Sequence, residues 1–472
     1  MINKNQIKFT EQKTLLLFIS FFFAYAVRFW MLGVPLLDPD ESHWFSWAMR
    51  PDTLLHYTII NSEVRPDIIF SILSRPFIFL FGFTEFSIRF ISALTGLSLG
   101  LFLGLYIAIS KKNPISGFFA SLCVWFLPVS IWASRQGIPD MLAIALYTLA
   151  IMGILKIFKN SFLKCSWPLF LSISFLMKAT TLFLLPAFCA IVLLEKPLKK
   201  SYLNIFLIIL SILPFIGLTL YLKVTGENLA FFDTHRLLFG FNLFRLVDVF
   251  KQAVFGIGIW LVPLLFGIVL SWKNPSFYDY KKYCWILTPL FFFPFFRSTQ
   301  KEILLLLPGV FIFSTIWLTQ LWNDTNKKMH FLNTVVAICF LNVLAIGFLK
   351  SSAISNVFPD YKLIASKETA EVLNNNLPAD IAFITCSSRY DEPIYWQLKL
   401  LKKREVYWTR IPPQVFRFAK PERMVLLRIP YDGPRLKSDN WEKFLKEEEL
   451  PDGSQFKLYT FSPEIFRNLK KE

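Results

Sequence analysis

The run Asp38-Pro39-Asp40-Glu41-Ser42-His43-Trp44-Phe45 places three carboxylates and an imidazole directly after the first apolar block of a 472-residue chain. Such an acid has two readings. It caps a neighbouring helix, whose N-terminal dipole favours negative charge, or it is held at the lipid–water boundary and takes the proton of a hydroxyl acceptor. Asp140, in Ser134-Arg135-Gln136-Gly137-Ile138-Pro139-Asp140, carries the same two readings. Two brief connections, each bearing an acid beside an apolar block, can converge on one site. Cations accompany them: Arg65 follows the acidic run, Arg135 precedes Asp140, Lys178 interrupts an apolar stretch, and Arg297 and Lys301 flank another. A departing phosphate needs cationic donors, and Arg can grip it with two parallel hydrogen bonds. The same side chains can instead lay their stems on apolar surface and put their heads in water. His43 with Asp40 and Glu41 can hold a divalent metal, but that spacing is not diagnostic of one. The expectation is that no cofactor is required, with a divalent metal compatible with the site.

These residues need elements to hold them. Hydrophobic residues make up 54% of the chain, 53 of them Phe, and mean hydropathy is +0.48. The apolar residues come in blocks of the length that crosses a bilayer, about 17–25 residues. Eleven spans are expected, near 14–34, 86–109, 115–132, 141–158, 167–177, 180–194, 202–222, 252–272, 284–296, 303–320 and 331–349. The fifth, sixth and ninth are short, which suits helices that stop partway and satisfy their ends against protein or water.

Loop charge orients these spans. Lys4, Lys8 and Lys13 precede the first. Lys111-Lys112, Lys156/Lys159/Lys164, Lys196/Lys199/Lys200, Lys273/Lys281/Lys282 and Lys327-Lys328 then fall on the same side by parity. That is the positive-inside pattern, so the N-terminus is expected in the cytoplasm. The net charge is +17, with 30 basic against 16 acidic residues in 1–350 and 20 against 17 in 351–472. A nucleic-acid binder would gather its basic charge on a soluble face; here it lies in short inter-span loops, and that class is excluded. The other side of the membrane receives segment 35–85, the Arg135–Asp140 loop, Lys178, 223–251, 297–302 and the tail. Six Cys without a CxxC spacing suggest neither a disulfide framework nor a zinc site. The N-terminal apolar run lacks a signal-peptide cleavage site and is followed by further spans.

The expected organisation is therefore a transmembrane domain over 1–350 and a soluble, periplasmic α/β domain over 351–472. Strands are expected at Ile381–Cys386, Glu405–Thr409, Met424–Ile429 and Phe456–Phe461 from their bulky and β-branched residues. Helices are expected at Lys367–Asn376, Pro393–Lys403 and Trp441–Glu449.

The order of motifs resembles the GT-C glycosyltransferases that use lipid-phosphate sugars, a superfamily that includes protein O-mannosyltransferases and the aminoarabinose transferases that modify lipid A. The likeness covers most of 15–320. It rests on Asp40-Glu41-Ser42-His43-Trp44, on Glu85-Phe86-Ser87-Ile88-Arg89-Phe90-Ile91-Ser92-Ala93, on Arg135 to Asp140, on Leu176-Met177-Lys178, and on Lys301-Glu302 running into Leu304–Pro308. The resemblance implies that Asp40 is the catalytic base, with Glu41 as its motif partner and Asp140 as the second-loop acid. It places Arg65 at the family's phosphate-contacting cation. The family reads Lys-Pro-Pro-Leu there, and this chain reads Arg65-Pro66-Asp67-Ile68.

The implied fold is a polytopic α-helical membrane protein, GT-C-like, in a bacterial inner membrane. The implied reaction moves a sugar from a polyprenyl-phosphate donor to an acceptor on the periplasmic face, inverting the anomeric carbon. Arg65, Arg135, Lys178, Arg297 and Lys301 are the candidates to hold the donor phosphate. Membrane lipid surrounds the chain, and the acceptor is open between lipid A, a glycan and a protein. The alternative is a lipid or glycan transporter, which would place ionisable residues inside the spans and show repeat symmetry. A ligase of whole glycans and a non-catalytic scaffold are further rivals; the scaffold predicts that replacing Asp40 or Asp140 changes nothing.

Overall fold

A computed structural model describes residues 4–30, 32–33, 41, 44–45, 48, 69–154, 166–195, 198–224, 244–273, 280–293, 303–348, 370–371, 374–375, 381–386, 397–398, 406–409, 423–428, 446–449 and 457–461. Asp40, His43, Arg65, Arg297 and Lys301 lie outside the described residues. The described part is mostly helical. In chain order the helices are α1 Lys4–Phe29, α2 Ile69–Phe81, α3 Glu85–Lys111, α4 Pro114–Phe126, α5 Pro128–Ser134, α6 Asp140–Ile154 and α7 Trp167–Met177. A 3-10 turn at Ala179–Leu184 leads into α8 Leu185–Glu195. There follow α9 Leu198–Val224, α10 Phe244–Ile257, α11 Leu261–Lys273, α12 Tyr280–Phe292, α13 Leu307–Asp324 and α14 Lys328–Phe348.

Helix occupies each of the eleven apolar segments read from the sequence. Among the described residues, four helices are long and apolar enough to cross a membrane. The count is five if the bent pair α4 and α5 forms one span. One expectation needs correction: segment 35–85 is not all connection, because α2 lies within it. This helix is amphipathic, with Phe70 and Ile78 buried and Phe79 89% and Leu80 68% exposed. At 13 residues its apolar run is shorter than a membrane span, so it is not among the eleven expected.

Contacts divide the chain into two compact units. One comprises 1–30, 52–70 and 91–358, and the other 31–51, 71–90 and 359–472. The second unit contains a five-stranded sheet: β1 Ile381–Cys386, β2 Val406–Thr409, β3 Arg423–Arg428, β4 Lys446–Glu449 and β5 Lys457–Phe461, in the order β2-β1-β3-β5-β4. β1 runs parallel to β2 and β3, with Phe383 opposite both Val406 and Val425. β5 is antiparallel to β3 and to β4. The expected helix at Trp441–Glu449 is overturned over its last four residues, which form β4. Lys446-Glu447-Glu448-Glu449 has helix-favouring side chains, but pairing with β5 decides its state. A charged outer strand also keeps other chains from adding to the sheet.

In the second unit α2 ends on Gly82, whose φ of 77° suits a residue without Cβ. Thr84 then caps α3: its hydroxyl accepts from Ser87 N–H at 3.4 Å. Phe77, Phe81, Phe86 and Phe90 form an aromatic cluster at this turn, with centroids 4.8–5.5 Å apart.

In the first unit α3 and α4 approach closely. Gly96, Gly100 and Gly104 recur every four residues on one face of α3. A Cβ on Gly100 would overlap the Trp125 indole, and one on Gly104 would overlap the Ser121 hydroxyl. Small residues at that spacing let two helices approach closely where lipid offers no hydrophobic drive to associate. Trp125 uses the close approach to donate its indole N–H to Leu97 O at 3.0 Å.

Candidate active site

Pro128 breaks the helix between α4 and α5 and bends it by 61°. A proline removes a donor and clashes with the preceding turn, so carbonyls at the end of α4 lose their helical partners. Two side chains account for three of them. Arg28 on α1 donates to Trp125 O at 3.0 Å and to Val124 O at 3.3 Å. Trp260 donates its indole N–H to Phe126 O at 3.2 Å. Arg28 completes its five donors on Ala24 O, Ser130 Oγ and Ser134 Oγ at 3.3–3.4 Å. Its side chain is wholly buried, and a cation at a helix C-terminus is favoured by the dipole.

Arg135 returns the arrangement. It follows α5, is 2% exposed, and donates to Val27 O at 2.7 Å and Arg28 O at 3.1 Å, which are carbonyls of the last turn of α1. Each arginine thus caps the end of a helix other than its own. Arg135 opens the loop to Asp140. That loop is held further on: Ser92 donates to Ile138 O at 3.0 Å, and Ala143 N–H reaches Pro139 O at 2.8 Å. It leaves one orphan. Gln136 Oε1, in a side chain 3% exposed, has no hydrogen-bond partner among the described residues.

Asp140 is the first residue of α6, and Lys178 follows the last residue of α7. The acid therefore sits at a helix N-terminus and the cation at a helix C-terminus, each on the side its dipole favours. The two form an ion pair, Lys178 Nζ donating to Asp140 Oδ1, with side chains 15% and 4% exposed. The helices behind them are clamped by Ser174 Oγ donating to Ala143 O at 2.9 Å. Lys178 itself has extended backbone, φ −154° and ψ 112°, between α7 and the 3-10 turn. Thr181 holds that break by donating to Lys178 O at 2.7 Å.

In the second unit, Glu41, Trp44, Phe45 and Ala48 are helical and buried, an i, i+3, i+4, i+7 face. Glu41 accepts a two-pronged bond from Arg89 of α3: Nε to Oε1 at 2.8 Å and Nη2 to Oε2 at 2.7 Å. Arg89 Nη1 also donates to Leu32 O at 2.9 Å. Two residues of α2 hold the same segment, Ser71 donating to Trp44 O and Arg75 to Ala48 O, both at 3.2 Å. The backbone on the C-terminal side of Asp40 is therefore anchored through Glu41.

Four residues singled out from the sequence are thus placed. Asp140 and Lys178, given different roles there, are joined as a pair. Glu41 is engaged by Arg89, and Arg135 is engaged by α1. Arg28 and Arg89 escaped functional notice, although an arginine inside or at the edge of an apolar run is a signal in itself. No group of three or more metal-ligating side chains occurs among the described residues. Glu41, the described member of the Asp40–Glu41–His43 set, has both carboxylate oxygens on Arg89.

No family model matches the sequence, and no curated protein does. Solved structures do match. The chain superposes on the crystal structure of ArnT from Cupriavidus metallidurans in the apo state with a TM-score of 0.60 and 12% identity, over 97% of this chain and 99% of that one. It superposes on the same protein bound to undecaprenyl phosphate with a TM-score of 0.60 and 12% identity, over 95% and 97%. What this chain shares with ArnT is the fold along nearly its whole length.

Proposed function

We propose that the protein is a membrane glycosyltransferase that takes its sugar from a polyprenyl-phosphate donor. The observation that carries the reading is a fold shared end to end with a protein whose crystal structure holds undecaprenyl phosphate. The acids and cations read from the sequence, two of them paired at the meeting of α6 and α7, are consistent with it. All eleven apolar segments cross the membrane in this reading, with the N-terminus in the cytoplasm and the Asp40, Asp140 and Lys178 connections on the periplasmic face. Residues 351–472 form a periplasmic α/β domain built on the five-stranded sheet.

The reaction is a single displacement. The acceptor hydroxyl oxygen attacks the anomeric carbon, and its proton goes to the Asp40 carboxylate. The bond from the anomeric carbon to the phosphate oxygen breaks with inversion, and its electron pair leaves with the polyprenyl phosphate. Arg65, Lys178, Arg297 and Lys301 stabilise that growing charge, the largest contribution expected in such a site. Lys178 is the member whose position is known, and it is shared with Asp140 until a phosphate competes for it. Arg135 acts at one remove, fixing the Asp140 loop on α1. Gln136 Oε1 offers a buried acceptor to a substrate hydroxyl. No step requires a metal, and a divalent ion at Asp40 and His43 remains compatible with the scheme. Lipid A, a glycan and a protein hydroxyl are the acceptor classes in play.

Purified protein incubated with a panel of polyprenyl-phosphate sugars and acceptors tests this. Release of free polyprenyl phosphate by the wild type, lost by about 10²-fold or more in Asp40→Asn, is the expected result. Equal release by both moves the base elsewhere, with Asp140 next to be tested. No release with any donor, together with transfer of labelled lipid across a vesicle bilayer, would replace the transferase reading with a transporter.

A further inference from the structure

Trp322 lies in the last turn of α13 and is 6% exposed. Two ammonium groups from different helices converge on its ring. Lys13 Nζ of α1 is 5.4 Å from the centroid, and Lys328 Nζ, the first residue of α14, is 5.7 Å from it. Both distances are within the reach of a cation–π contact, but two like charges on one ring also repel each other. Glu11 and Asp324 are the acids nearest in sequence, and Asp324 accepts the Gln320 amide on both oxygens at 3.0 Å. Lys327, adjacent to Lys328, is exposed.

Two of the same helices, α13 and α14, enclose with α11 a cavity of about 270 Å³, lined by Trp260, Pro263, Leu318, Leu321, Phe331 and Val335 among others. Leu318 is one helical turn from Trp322, and Phe331 one turn from Lys328, so hydrocarbon surface begins about 5 Å beneath the charges. Positive charge at the membrane edge over an apolar slot is the shape of an anionic amphiphile. Basic pockets between spans on the side bearing the lysine-rich loops are suited to anionic lipid head groups.

We propose that Lys13, Lys328 and Trp322 form a binding site for an anionic phospholipid, whose phosphate bridges the two ammoniums while one acyl chain enters the cavity. The phosphate relieves the repulsion between the lysines, and the indole supplies the amphipathic floor between head group and chain. The occupant is a membrane lipid rather than a protein because the slot is lined almost wholly by apolar side chains of helices read as spans, and Trp322 and Lys328, where the two ammonium groups meet, lie one helical turn along the same helices. This site shares no residue with the Asp140–Lys178 pair, and the inference does not depend on the chemistry proposed above.

Native mass spectrometry of the full-length, delipidated protein provides the test, with phosphatidylglycerol and phosphatidylcholine of matched chains as probes. The wild type is expected to retain phosphatidylglycerol about tenfold or more over phosphatidylcholine, two lysines acting together. Lys13→Gln/Lys328→Gln is expected to bring the ratio to about one, and the exposed single change Lys328→Gln to lower it severalfold. Leu318→Trp, filling the cavity, is expected to weaken long-chain phosphatidylglycerol and leave the dihexanoyl form unaffected. Equal retention of the two lipids by the wild type overturns the proposal. A preference that survives in Lys328→Gln and the double variant also overturns it, because the selectivity then resides elsewhere.

Discussion

Two ion pairs occur among the described residues, and they are built differently. Glu41 and Arg89 meet through two parallel bonds at 2.7 and 2.8 Å, with both side chains 2% exposed or less. Arg89 has a further bond to Leu32 O, so the pair ties the start of the first connection to α3. Asp140 and Lys178 meet through one oxygen, at the ends of two helices, and the lysine is 15% exposed. Arg presents a rigid planar fork that matches a carboxylate, whereas Lys is a point charge on a flexible stem. The first pair is therefore a clasp, and the second can open for a competing anion. Function on this reading is expected at the looser pair and beside the tighter one.

Breaking the clasp gives the largest effect on stability. Arg89→Met leaves Glu41 charged and buried without its partner, a change that costs about 3–5 kcal/mol. The expected result is a large fall in thermal unfolding temperature in detergent. Arg89→Met/Glu41→Leu removes both charges and should recover much of it, since an apolar pair of similar volume replaces the ions. A single variant as stable as the wild type would mean that Glu41 is held by other contacts.

The looser pair should divide its effects the other way. Lys178→Met leaves Asp140 at a helix N-terminus that still favours its charge, so the stability loss is about 1–3 kcal/mol. Activity should fall further, by about 10²-fold in kcat, if the proposed role of Lys178 as a cation facing the leaving phosphate holds. Lys178→Arg should restore part of kcat. Equal losses in stability for Arg89→Met and Lys178→Met, with activity intact in the second, would remove the distinction between the pairs.

How much of this was legible in the sequence follows the same division. Helix positions were readable because apolar blocks of fixed length dictate them, and the strand at Ile381–Cys386 was readable from its β-branched and bulky residues. The span expected near 115–132 is broken at Pro128 into α4 and α5, a break the apolar block alone does not mark. What was not readable is what satisfies that break. Arg28 lies almost 100 residues before the carbonyls it reaches, and no local pattern pairs them. Arg89 sat inside a recognised motif, but its partner is 48 residues away. The glycines at 96, 100 and 104 carried no expectation from the sequence; the indole of Trp125 lying against Gly100 gives their spacing its reason. At Lys446–Glu449 local preference pointed to helix, and the ladder with β5 prevailed.

The smallest expected effect lies in the loop that leads to the looser pair. Gln136 is buried, and its Oε1 has no hydrogen-bond partner among the described residues. A buried acceptor left unpaired costs about 1–3 kcal/mol, so a protein that only needed to fold would gain from an apolar side chain there. Gln136→Leu is close in size and removes the orphan. Its unfolding temperature should be unchanged or slightly raised, which is the opposite sign to Arg89→Met. If the oxygen is kept for a substrate hydroxyl, KM for donor or acceptor should rise severalfold while kcat changes little, because such a contact is made equally in ground and transition states. A variant that is more stable and fully active would show that the loop tolerates its orphan for reasons unconnected with substrate. A more stable variant with a raised KM would place a ligand contact in the loop between Arg135 and Asp140, next to the pair that opens.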